Sequence, residues 1–290
     1  MLTSRSLDAE VGATVFLKAE NLQRSGAFKI RGATNAVAIL GARGVTHVAT
    51  YSSGNHGQAL ALAAAEAGMR CTVLMPTDAP EGKTAAARGY GAEIVTYDRY
   101  TQDRRALAEQ LALGSGATIV PPFDDKAIIA GQGTTVLELL DDVGDLDIVV
   151  TPIGGGGLLA GSCLAASGAT RMVGAEPADR RAARDALATG HQMEVAVVRT
   201  ICDGQQTERV GAIPLAVLLQ HRAEVVGVTD DEVVAAMRFL LHRCKVLVEP
   251  SGAAGLAAVL AGRLGSVAGL RIGIVLSGGN VDVDRLTDLL

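Results

Sequence analysis

The chain has 290 residues, 49% of them hydrophobic and 20% charged, with a formal net charge of −5. That balance suits a soluble protein that buries one sizeable core or two linked smaller ones. With 3% aromatic residues, no tryptophan and no basic excess, it lacks the stacking platforms and the electrostatic footprint of nucleic-acid binders, and no nucleic-acid partner is expected.

In chain order, apolar and β-branched runs at 14–19, 48–51, 71–75, 94–97, 119–120, 148–151, 172–175 and 272–276 read as short buried strands. Segments at 54–67, 82–88, 101–113, 131–140, 157–166, 230–242 and 251–261 are compatible with helices. This alternation predicts an α/β architecture in which helices cover mostly parallel sheets. Residues 46–124 hold a compact series of strands and helices and are expected to form a small mobile domain. Residues 1–45 and 125–290 would share a large domain, with the active site in the crevice between the two. The chain starts close to its first strand-like run, leaving little room for an introductory helix.

Arg180, Arg181 and Arg184 form a local basic patch flanked by Asp179 and Asp185, which reads as a solvated helix face. Cys71, Cys163, Cys202 and Cys244 show no paired ligand spacing and read as reduced packing residues. No apolar run approaches the about 20 residues of a membrane span, and the N-terminus lacks a signal-peptide pattern. A cytoplasmic location without membrane association is therefore expected.

Lys29 stands in Ser25-Gly26-Ala27-Phe28-Lys29-Ile30-Arg31-Gly32, where by itself it could simply snorkel from a core edge. Three further runs each follow a strand-like segment. Ser52-Ser53-Gly54-Asn55-His56-Gly57 has amides and hydroxyls able to surround a carboxylate, or to cap a helix. Gly154, Gly155, Gly156 and Gly157 lie between a strand and a helix, where bare backbone amides can approach a phosphate. They match neither the dinucleotide fingerprint nor the Lys-containing nucleotide loop. Ser277-Gly278-Gly279-Asn280 places a hydroxyl just beyond the last strand-like run. An amine, an anion-binding loop and placed hydrogen-bonding groups are what pyridoxal phosphate, a phosphorylated aldehyde, demands of a protein.

Together with residues 16–23, Ala130-Gly131-Gln132-Gly133-Thr134 and Val248-Glu249-Pro250-Ser251-Gly252-Ala253, these motifs make the chain closely resemble the fold-type II pyridoxal-phosphate enzymes. The resemblance is to the threonine/serine dehydratase and serine racemase branch, and it spans nearly the whole chain. It implies a two-domain fold like the tryptophan synthase β-subunit and a homodimer. It also implies pyridoxal 5'-phosphate attached covalently to Lys29, with its phosphate at Gly154, Gly155, Gly156 and Gly157. Asn55 would stand beside the phenolic oxygen and Ser277 beside the ring nitrogen. Glu249 would border the ring and substrate, although alone it reads as a surface partner of Lys245 or Arg243. Ser52, Ser53, Gly54, Asn55 and His56 would bind the substrate, with His56 a local hydrogen-bonding residue. Ser53 would face Lys29 across the cofactor.

The resemblance implies dehydration and deamination of a small hydroxyamino acid: L-threonine to 2-oxobutanoate and ammonia, L-serine to pyruvate and ammonia. Released Lys29 would take the α-proton. Serine racemisation, with Ser53 as second proton donor, and threo-3-hydroxyaspartate ammonia-lyase activity are the alternatives; the latter needs a donor for a second carboxylate that no residue here identifies. A non-enzymatic pyridoxal-phosphate-binding protein is the remaining reading. Two departures stand out. The chain begins near Leu2-Thr3-Ser4-Arg5, without the N-terminal segment and Thr-Pro turn frequent in the family, and its C-terminal end leaves no room for a regulatory domain. The racemase-like divalent site would take Glu176 as its first carboxylate but meets Ala182 at the second, so that site is expected to be weak or absent.

Overall fold

The computed structural model spans residues 1–290. It describes all of them except Ser53, Pro80, Arg99, Tyr100, Ser167, Val197 and Val198, together with the side chains of Arg104 and Arg105. The strands are β1 (Leu2–Thr3), β2 (Thr14–Ala19), β3 (His47–Thr50), β4 (Arg70–Pro76), β5 (Glu93–Tyr97), β6 (Thr118–Ile119), β7 (Ile148–Pro152), β8 (Arg171–Pro177), β9 (Glu224–Val228) and β10 (Arg271–Leu276). Among the described residues they form two sheets. One has six strands in the order β1-β2-β10-β7-β8-β9, parallel except where β1 runs against β2. The other has four, β5-β4-β3-β6, all parallel. The expected α/β class with mostly parallel sheets is what the chain adopts.

Burial explains the strand sequences. All five residues of β7 are buried, because apolar clusters cover both faces of the larger sheet. Such a strand reads as a continuous apolar run rather than an alternation. The helix Pro250–Leu260 buries ten of its eleven residues; its Ala and Gly side chains are small enough to let it lie close against the sheet.

Several elements depart from the sequence reading. A seven-residue helix, Arg5–Val11, does precede β2, capped by the Ser4 side chain and anchored by buried Leu7. The helices Lys29–Ala42, Ala212–Gln220 and Val283–Leu289 and the strands β1 and β9 were not anticipated, and the helix face read around Arg180–Arg184 belongs to the helix Ala182–Thr189. The helix expected at 131–140 starts a turn earlier as Lys126–Val143, where the Asp125 side chain accepts from Ile128 N–H at 3.0 Å. Helix Lys29–Ala42 packs against both Asn55–Glu66 and Lys126–Val143. Its Ile30, Ala33 and Val37 join Val48, Leu60 and Val73 under the smaller sheet, together with Ile128. The apolar cluster of that sheet thus draws on chain either side of residues 46–124.

All four cysteines are free, and Cys71, Cys163 and Cys202 are buried. Among the described residues no helix is long and apolar enough to cross a membrane.

Candidate active site

Strands β3, β6, β7 and β10 direct their C-terminal ends at a single cavity of about 370 Å³, the usual place for a ligand in parallel sheets. The cavity brings together Lys29, the Ser52, Gly54, Asn55 and His56 loop, the four glycines at 154–157, Glu249 and Ser277. Ser53 lies outside the described residues.

Lys29 is the first residue of its helix. The loop before it is zipped to the loop after β10: Phe28 N–H donates to the Ser277 carbonyl at 3.0 Å and Gly279 N–H to the Gly26 carbonyl at 2.9 Å. Ser25 (φ 58°) and Gly26 (φ 71°) make the left-handed turn that lets the two loops meet. The Lys29 ammonium donates to the Pro122 carbonyl at 2.7 Å. Burial lowers its pKa to about 8, which favours the neutral, nucleophilic amine.

The glycine loop follows β7 and opens the helix Gly157–Ala165. Gly156, at φ 93°, occupies the N-cap in a left-handed conformation, and a Cβ there would press on Pro214 at 2.9 Å. A Cβ on Gly155 would overlap the Phe123 ring. Side chains are therefore excluded along the loop, while the first amides of the helix have no intrahelical acceptor. A phosphate is a natural partner for such a backbone.

Glu249 is buried beside Asn55 rather than paired with Lys245 or Arg243 on the surface. Its Oε1 accepts from Asn55 Nδ2 at 2.5 Å, whereas Oε2 is buried without a hydrogen-bond partner. Burial pushes its pKa up. Asn280 Nδ2 donates to Asn55 Oδ1 at 3.0 Å, so Asn55 is held from both ends. His56 is 1% exposed and its Nε2 meets the Val120 carbonyl at 3.1 Å. Burial, then the charge of Lys29, lowers its pKa to about 3, leaving a neutral ring that orients the loop. The side-chain-free cradle, the buried amine and the orphaned Glu249 oxygen together fit pyridoxal phosphate.

Sequence reasoning missed the charged corner of this cavity. Lys83, on the helix Glu81–Gly89, pairs with Asp203. Arg285, from the helix Val283–Leu289, lines the cavity with its Nη1 3.5 Å from Asp203 Oδ2 and its Nη2 donating to the Ile201 carbonyl at 2.6 Å. Two cations therefore share the single carboxylate of Asp203. Its members come from three distant stretches, and no local spacing announces them.

Arg180 corrects the expectation of a solvated basic patch. It is 1% exposed and its Nη1 donates to Glu176 Oε2 at 3.0 Å. Arg184 Nε donates to Glu176 Oε1, also at 3.0 Å. Arg181 alone stays at the surface, paired with Asp185 at 2.9 Å. A fully buried Glu176 at the end of β8 draws the two neighbouring guanidiniums inward.

Comparison with known proteins identifies the family. The family model described as pyridoxal-phosphate dependent enzyme matches residues 1–278. The L-threo-3-hydroxyaspartate ammonia-lyase of Saccharomyces cerevisiae is 43% identical over 294 aligned positions, covering 100% of this chain and 90% of that protein. The serine racemase of Schizosaccharomyces pombe is 40% identical, covering 100% of this chain and 91% of that one. Among solved structures, maize serine racemase superposes with a TM-score of 0.94 at 37% identity, covering 99% of this chain and 89% of the other.

Proposed function

The chain belongs to the fold-type II pyridoxal-phosphate enzymes, in the branch of threonine/serine dehydratases and serine racemases, and we propose that its substrate is threo-3-hydroxyaspartate, converted to oxaloacetate and ammonia. The observation that carries this reading is Arg285 in the cavity wall. It is the donor for a second carboxylate that the sequence alone did not identify. Similarity to the yeast hydroxyaspartate lyase across the whole chain supports the same substrate. Hydroxyaspartate thereby moves ahead of L-threonine and L-serine.

When bound, pyridoxal phosphate would supply an electron sink that acidifies the α-proton of the substrate. The backbone amides at 154–157 would hold its phosphate. Ser52 and the N-terminus of the helix Asn55–Glu66 receive the α-carboxylate, where unpaired amides favour an anion. Arg285 takes the side-chain carboxylate in place of its long contact to Asp203. Lys29 Nζ removes the α-proton as general base, and its proton is then at hand for the β-hydroxyl that leaves as water. Hydrolysis of the released 2-imino acid gives oxaloacetate and ammonia.

Dehydration of L-serine and L-threonine with serine racemisation is the second reading. It is favoured by the bond from Arg285 to the Ile201 carbonyl, which keeps the guanidinium partnered when the substrate has no second carboxylate. Ser53 as proton donor on the opposite face belongs to that reading. A cytoplasmic location, a homodimer and movement of residues 46–124 as a unit complete the proposal.

Arg285→Gln separates the two readings. Loss of a charge-assisted hydrogen bond costs about 1.5–3 kcal/mol, so KM for threo-3-hydroxyaspartate is expected to rise roughly 10- to 150-fold while serine turnover changes little. Equal losses on both substrates, or none, would remove Arg285 from substrate recognition.

A further inference from the structure

The Glu176 carboxylate has no room left for a metal ion. Its Oε2 accepts from Arg180 Nη1 at 3.0 Å and from Ala183 N–H at 3.1 Å. Its Oε1 accepts from Arg184 N–H and Arg184 Nε, both at 3.0 Å. Four donors fill the roughly four acceptor positions of a carboxylate, and a hard divalent cation needs several free oxygens in their place. Ala182, where a second carboxylate would stand, is fully buried, and no group of three His, Cys, Asp or Glu able to hold a metal occurs among the described residues. The residues present do not fit the divalent ion that the racemase-like branch implies.

Arg180 does more than neutralise Glu176. Its Nε donates to the Thr207 carbonyl at 2.9 Å, and its Nη2 donates to Thr207 Oγ1 at 2.5 Å and to the Gly154 carbonyl at 3.2 Å. A single planar guanidinium thus ties the end of β8, the segment at 203–207 and the first residue of the phosphate cradle into one rigid unit. Arg181 adopts a left-handed conformation (φ 43°) immediately after it, turning the chain so that Arg180 points inward and the helix Ala182–Thr189 can start.

We infer that Arg180 is a built-in replacement for a bound divalent cation: a positioning residue that fixes the glycine loop for the cofactor phosphate and frees the enzyme from dependence on added metal. The inference holds whichever hydroxyamino acid is the substrate.

The test begins with purified holoenzyme dialysed against EDTA, then supplied or not with Mg²⁺ or Ca²⁺. Elemental analysis should find no stoichiometric divalent ion. Melting temperature, pyridoxal-phosphate dissociation constant and turnover should be the same in all samples. A tenfold loss of cofactor affinity or turnover on chelation, reversed by Mg²⁺, would overturn the inference. A second arm addresses the arginine itself. Arg180→Ala leaves the buried Glu176 with Arg184 as its remaining charged partner and empties the space of a buried guanidinium, so it is prone to misfold, and Arg180→Ala is combined with Glu176→Gln to remove the charge as well. The folded double variant should bind pyridoxal phosphate about tenfold more weakly, and added guanidinium ion should partly restore binding to the single Arg180→Ala variant where that folds. Cofactor affinity equal to wild type in the folded double variant would show that Arg180 does not hold the cradle.

Discussion

Lys29→Ala is expected to lower turnover on every substrate by about a thousandfold or more, the scale set by removing a general base, while the variant still binds free pyridoxal phosphate non-covalently. The wild-type bond to the cofactor should be fixed by borohydride, and peptide mass mapping should place the adduct on Lys29. The amine is lowered to about 8 by burial, which gives a second readout. Only the neutral amine is nucleophilic, so recapture of the cofactor by apoenzyme should speed up as pH rises and level off above about 8. An adduct on another lysine would overturn the assignment. A capture rate still climbing steeply at pH 10 would show that the cavity does not lower the amine.

Gly155→Val should weaken pyridoxal phosphate binding before it alters substrate preference. The new side chain would run into the Phe123 ring, and overpacking of this kind costs about 1–3 kcal/mol. In cofactor affinity that is a loss of roughly 5- to 150-fold, measured by titration of apoenzyme. Phe123→Ala in the same chain removes the obstacle and should recover much of the affinity. Unchanged affinity in well-folded Gly155→Val would count against the glycine loop as the phosphate cradle.

The strands β2, β3, β4, β7 and β10 were legible in the sequence because each is a short apolar run ending at polar or glycine-rich residues. The loops that follow β3, β7 and β10 were legible for the same reason: the glycines and hydroxyls stand at abrupt strand ends. Helix Lys29–Ala42 was not. Its glycines disguise it, yet Gly32 is there because a Cβ would collide with the Gln132 side chain. That close approach is a tertiary fact that the local pattern cannot report. Helix Ala212–Gln220 is apolar along most of its length and has no helical stripe to read. The charged corner of Lys83, Asp203 and Arg285 was invisible because folding alone brings it together. Arg180 was misread because an arginine near aspartates looks solvated until the buried Glu176 beneath it is seen.

Parallel assays on threo-3-hydroxyaspartate, L-threonine, L-serine and D-serine test the central claim most directly, with oxo-acid release and chiral amino-acid analysis followed in the same reactions. The proposed function predicts that oxaloacetate from hydroxyaspartate appears with the highest kcat/KM, and that Arg285→Gln removes most of that advantage. Faster release of 2-oxobutanoate and pyruvate from L-threonine and L-serine would contradict it, as would rapid interconversion of the serine enantiomers with little oxo acid formed.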